Sequence, residues 1–127
     1  MKIGHIAMYV RDLERARDFF TEYFGGQANE GYHNPKTGFR SYFIRLENGV
    51  QIELMNRPQL SDGGQNGEHF GYAHIAFSTG SREAVDRLTE RLRAAGYPVR
   101  SGPRVTGDGY YESCMEGIEG NLIEITE

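Results

Sequence analysis

Cys114 is the single cysteine in this chain of 127 residues. It excludes an internal disulfide, fits a reducing compartment, and is most simply read as a small strand residue. Long apolar runs are missing too, and the N-terminus has no charged segment leading into a hydrophobic stretch. Neither a membrane span nor a signal peptide is therefore expected. Basic charge is also in short supply: the formal net charge is −4, with both signs spread along the chain, which leaves no patch for nucleic acid or anionic lipid. The expected compartment is the cytoplasm. The length suits one domain, residues 1–127, with a real core.

What is present comes in duplicate. His5-Ile6-Ala7 recurs as His74-Ile75-Ala76, and each copy is followed by a Gly-x-x-x-Glu ending, Gly49 to Glu53 and Gly120 to Glu124. The two histidines lie 69 residues apart and the two glutamates 71 apart. Repetition at this period defines two half-length modules, about 1–56 and 72–127, each too small to be stable without the other.

Within each module the hydrophobic period changes in the same order. Residues 2 to 10 alternate as a strand, with Ile6 and Met8 on one face and His5, Ala7 and Tyr9 on the other. Asp12 then caps a helix in which Leu13, Ala16, Phe20, Tyr23 and Phe24 recur at helical spacing, and Gly25-Gly26 stops it. Strands are predicted near 27–33, 39–46 and 50–56, the last two joined by Asn48-Gly49. In the second module a strand from Tyr72 to Ser78 precedes a helix capped by Ser81, with Val85, Leu88, Leu92 and Ala95 on one side and Gly96 as its stop. Strands near 98–105, 110–115 and 121–126 complete it, the first being the poorest candidate because of Pro98 and Pro103. Residues 57–71, rich in Gly, Ser and Asp, read as a linker loop that could close over a site. The fold class is α+β: two tandem βαβββ modules forming a cupped mixed sheet.

The same alternation sorts the side chains. Ile6, Met8, Ile52, Leu54, Ile75, Phe77, Ile123 and Ile125 should pack against the helices, which leaves His5, Glu53, His74 and Glu124 facing a concave cavity. Two uncompensated carboxylates there would cost several kcal/mol, and a divalent cation is the economical compensation. A set of two nitrogens and two oxygens suits zinc, nickel, cobalt, iron or manganese, and leaves room for water or substrate at a five- or six-coordinate ion. A lone strand histidine is ordinarily a hydrogen-bonded core or surface group; four donors at repeated positions are harder to attribute to chance. His33 and His69 lack that support and read as solvent-exposed. Tyr110, Tyr111, Phe39, Tyr42 and Phe43 are candidates for lining a pocket, although strand aromatics are more often core.

These residues resemble the vicinal oxygen chelate (glyoxalase/bleomycin resistance/dioxygenase) superfamily. The matches are Gly4-His5-Ile6-Ala7 leading to Val10-Arg11-Asp12-Leu13, Gln51-Ile52-Glu53-Leu54, Gly71 to Phe77, and Glu119 to Ile125. The resemblance implies one divalent metal ion per site. Extradiol dioxygenases and fosfomycin-modifying enzymes use two His and one Glu, methylmalonyl-CoA epimerases carry Gln at the position of Glu53, and bleomycin-binding proteins lack the ligands. The full set here looks most like lactoylglutathione lyase (glyoxalase I), which implies a metal site of His5, Glu53, His74 and Glu124 holding nickel, zinc or cobalt.

By the same resemblance the reaction is conversion of a 2-oxoaldehyde–thiol hemithioacetal, such as that of methylglyoxal and glutathione, to a 2-hydroxyacyl thioester through an enediolate. Glu124 is the implied principal base, with Glu53 serving the opposite face. Tyr9 stands where many such lyases carry an Arg for a glutathione carboxylate, with Arg11 two residues on and Asn56 near a second glutathione-contacting position, so the thiol is left open. The alternatives are an acyl-CoA epimerase using the same two carboxylates, a non-catalytic drug-binding resistance protein, and, last, a dioxygenase, whose iron site Glu53 would crowd. Members of this length imply a homodimer, with each site inside one chain or shared across two.

Overall fold

The computed structural model describes residues 5–58, 74–106 and 109–127. It divides into two compact units, Met1–Gln65 and Asn66–Glu127. In the first, β1 (His5–Tyr9) is followed by α1 (Leu13–Phe24), the two short strands β2 (Gln27–Ala28) and β3 (Tyr32–His33), then β4 (Arg40–Arg45) and β5 (Gln51–Asn56). The sheet runs β1-β5-β4-β2, with β3 also on β4. β1 lies parallel to β5 and the remaining pairs are antiparallel, because the helix intervenes only in the connection that follows β1. The second unit repeats this with β6 (Ile75–Ser78), α2 (Arg82–Ala94), β7 (Val99–Val105), β8 (Tyr111–Glu116) and β9 (Leu122–Thr126), ordered β6-β9-β8-β7. Again the first strand is parallel to the last.

Local chemistry accounts for the helix ends. Asp12 accepts the Arg15 amide at 2.9 Å and Ser81 the Ala84 amide at 3.2 Å, each satisfying a donor that the first helical turn leaves open. Gly25, at φ 65°, closes α1 in the left-handed conformation expected of a glycine stop. The predicted 27–33 strand divides in two. Asn29 is the reason: its Oδ1 accepts from both Gly31 and Phe43 amides, and Gly31 turns to φ 85° against the Tyr42 ring. β7, by contrast, continues through Pro103, which an outer strand tolerates since one row of its amides has no ladder partner.

The helices cover the inner strands. In unit 1, Leu13, Ala16, Phe19 and Phe20 bury against Ile44, Ile52 and Leu54; in unit 2, Val85 and Leu92 share a core with Met115, Ile123 and Ile125. Each of these side chains apart from Ala16 contributes about 1.5–3 kcal/mol of hydrophobic stabilisation. Four expected core residues, Ile6, Met8, Ile75 and Phe77, are only half-buried. α1 packs over β4 and β5, and α2 over β7, β8 and β9, so the outer strands β1 and β6 receive less cover. Tyr23, Phe24 and Leu88 are likewise half-buried and Ala95 is exposed, whereas Phe19 and Thr89 take buried positions on the helix faces.

Candidate functional site

Register brings the repeated residues together inside each unit. Ala7 of β1 pairs with Glu53 of β5, and Ala76 of β6 pairs with Glu124 of β9. In both cases the histidine stands two residues before the alanine, diagonal to the glutamate and on its face of the sheet. His5 Nε2 lies 3.5 Å from Glu53 Oε2, and His74 Nε2 lies 3.0 Å from Glu124 Oε2. The carboxylates are more sheltered, at 17% and 21% side-chain exposure, than the imidazoles at 48% and 38%. Each unit thus presents one imidazole nitrogen beside one carboxylate oxygen, a donor combination that suits a borderline divalent cation. Among the described residues, no group of three or more His, Cys, Asp or Glu gathers to hold an ion.

The flanks of the two pairs differ. Phe43 of β4 is the register partner of Glu53, and its ring meets the His5 imidazole edge-on, with centroids 5.5 Å apart. The corresponding partner of Glu124 is Cys114 of β8. Burial, then the nearby charges of Glu124 and Glu112, push the Cys114 thiol up from its ordinary pKa. Glu112 and Glu116 alternate with Cys114 and share its face; Arg104 approaches Glu112 at 3.8 Å and Arg100 is ion-paired with Glu116. This charged border was missed in the sequence, although the alternation of Glu112, Cys114 and Glu116 with Ser113 and Met115 was its signal.

Other candidates fall elsewhere. Tyr42 pairs with Leu54 on the helix side and takes a hydrogen bond from Arg17 of α1, and Tyr111 donates to Asp86 of α2. Neither lines the His–Glu faces. Phe39 is half-buried beside Tyr32, at a centroid distance of 6.2 Å, while Tyr110 is exposed. His33 is exposed, as expected, and borders a recess of about 150 Å³ with Leu13, Tyr32, Arg40 and Tyr42. His69 and residues 59–71 of the expected linker lie outside the described residues. Tyr9 is 44% exposed beneath the Arg57 guanidinium, which sits 5.3 Å from the ring centre. The Asn56 side-chain amide donates to the Val10 and Arg11 carbonyls at 2.6 and 3.1 Å, tying the ends of β1 and β5 together.

Two units in which a strand and a helix lead into an antiparallel run, each with a His–Glu pair on a matching strand register, define a class of small mixed-sheet proteins. Residues 2–125 match the family model of the Glyoxalase/Bleomycin resistance protein/Dioxygenase superfamily, and the chain belongs to that superfamily. It is 28% identical to the uncharacterised protein YqjT of Bacillus subtilis (strain 168), over 95% of this chain and 94% of that protein. Its fold is similar to the trypanothione-dependent glyoxalase I of Leishmania major, with a TM-score of 0.79 and 19% identity over 100% of this chain and 86% of that one. It is also similar to the fosfomycin resistance protein FosX of Listeria monocytogenes, crystallised with Mn(II) and sulfate, with a TM-score of 0.73 and 22% identity over 98% and 90% of the two chains. Among the described residues, no helix is long and apolar enough to cross a membrane.

Proposed function

We propose that this protein is a divalent-metal-dependent isomerase or lyase of the glyoxalase I type, converting a 2-oxoaldehyde–thiol hemithioacetal to a 2-hydroxyacyl thioester. The observation that carries the reading is the repeated register, Ala7 against Glu53 and Ala76 against Glu124, which sets an imidazole beside each carboxylate. A superfamily that includes glyoxalases, and a fold neighbour that is itself a glyoxalase I, supply the context.

In this reading His5, Glu53, His74 and Glu124 come together around one ion, within a single domain or across a homodimer in the cytoplasm. Nickel, zinc or cobalt bound there would supply Lewis-acid stabilisation of negative charge on two vicinal substrate oxygens. Glu124 removes the carbon-bound proton and returns it to the adjacent carbon, and Glu53 serves the opposite face. Arg57, stacked on Tyr9, brings a positive charge close to the end of β1, which suits a thiol that carries a carboxylate such as glutathione.

Elemental analysis of the purified chain tests this directly. About one divalent ion per chain is expected, clearly reduced in His74→Ala and Glu124→Gln after dialysis against a weak chelator, together with thioester formation from the methylglyoxal–glutathione hemithioacetal. No ion in the native chain, and none taken up from nickel, cobalt or zinc, overturns the catalytic reading.

A further inference from the structure

The two units hold their imidazoles by different means. In unit 2, His74 Nε2 and Glu124 Oε2 are within hydrogen-bond distance at 3.0 Å. In unit 1 the corresponding separation is 3.5 Å, at the outer limit of a useful contact, and the His5 side chain is 48% exposed. An imidazole so placed has little to fix its second side-chain torsion, which is intrinsically broad. Phe43 provides what the carboxylate does not. Its ring stands perpendicular to the imidazole, at 87°, in the edge-to-face arrangement that aromatic quadrupoles favour.

The strand order explains how Phe43 reaches that far. β5 lies between β1 and β4, and Glu53 on β5 has Phe43 as its β4 partner. The two rings therefore bracket the carboxylate from the strands on either side, and Glu53 retains only 17% exposure. Cys114 occupies the same place beside Glu124 and has no ring to offer.

We infer that Phe43 is a positioning residue peculiar to the first unit, fixing the plane of the His5 ring so that Nε2 stays beside Glu53. Its consequence for metal affinity rests on the proposed four-residue site; the fixing of the ring does not. A positioned ligand gives up less freedom on binding an ion, and an edge-to-face ring contact of this kind is worth about 2–10-fold in affinity.

The test uses the full chain as wild type, Phe43→Leu and Phe43→Tyr. Carbon-13 relaxation of the imidazole Cδ2–Hδ2 bonds is read without metal, with His74 as the internal control, and the cobalt(II) dissociation constant is read by chelator competition. Phe43→Leu should lower the order of His5 alone and weaken cobalt about 2–10-fold, while Phe43→Tyr restores both. Unchanged His5 order in Phe43→Leu, or an equal loss at His5 and His74, overturns the inference. A wild-type chain that takes up no cobalt defeats the proposed function instead, and the relaxation data still decide the role of Phe43.

Discussion

The hydroxyls of Thr89 and Ser113 meet at 2.6 Å in the buried seam between α2 and β8. Thr89 donates its single proton to the Val85 carbonyl at 2.7 Å, so Ser113 is the donor to Thr89. Removing one partner is therefore not equivalent to removing the other. Thr89→Val strands the buried Ser113 hydroxyl and should cost about 1–3 kcal/mol, whereas Ser113→Ala leaves Thr89 bonded to Val85 and should cost about 1 kcal/mol. Adding Ser113→Ala to Thr89→Val should recover part of the loss. Urea unfolding of the three variants checks this, and equal losses in both single variants would contradict the assigned donor.

Asn56 spends its amide on two backbone carbonyls, those of Val10 and Arg11. Asn56→Ala should destabilise by about 1–3 kcal/mol. Asn56→Asp should be worse at neutral pH, because a carboxylate would then face two carbonyl oxygens with no proton between them. Paired denaturation curves at pH 4 and pH 7 separate the two effects; an aspartate variant as stable as the alanine at pH 7 rejects this role.

Tyr111 gives the chain a dependence on alkaline pH. Its hydroxyl donates to Asp86 Oδ1 at 2.7 Å, and that hydrogen bond, followed by burial, raises the phenol above its ordinary pKa. The fold therefore favours the neutral phenol. This contribution is complete below about pH 10, the value in an unfolded chain, and is lost as pH rises through the higher folded value. In an absorbance titration at 295 nm, one of the eight tyrosines should ionise earlier in Asp86→Asn than in the wild type. Superposable titration curves would remove the argument.

Glu53 and Glu124 are near-equivalent in register but not in surroundings, since Phe43 flanks one and Cys114 the other. For the proposed reaction, Glu124→Gln should lower kcat about 10²–10⁴-fold, the range of a general base. Glu53→Gln should cost less. Single-turnover rates with saturating metal distinguish the chemistry from weakened metal binding, and a larger loss in Glu53→Gln would exchange the two roles.

Much of this is legible in the order of the residues. The helix caps at Asp12 and Ser81 follow from residue type at the start of a periodic run. Alternation alone set His5 with Glu53 and His74 with Glu124 on polar faces. Alternation does not supply cross-strand neighbours, because the register of an antiparallel pair depends on the turn between its strands; Phe43 and Cys114 therefore became partners of the two glutamates only in the folded sheet. Thr89 is not legible in this way, because a polar residue on a helix face takes a buried place only when a partner such as Ser113 satisfies its hydroxyl. Asn29 broke a strand through a side-chain bond to the backbone, which residue propensities do not carry.

Where the two copies differ in length is itself informative. The histidines and the cap residues Asp12 and Ser81 are separated by 69 residues, but Phe43 and Cys114, like the glutamates, by 71. The two-residue difference therefore falls between the helix start and the third strand of the second copy. That stretch can absorb insertions because it feeds an outer strand, where a slipped residue can bulge sideways as it does around Ser101. The parallel pairs β1–β5 and β6–β9 run in unbroken register, and a one-residue slip there would turn the histidine and the glutamate to opposite faces. In an engineered library, length changes between Val99 and Arg104 should be accepted far more often than any within 75–78 or 122–126.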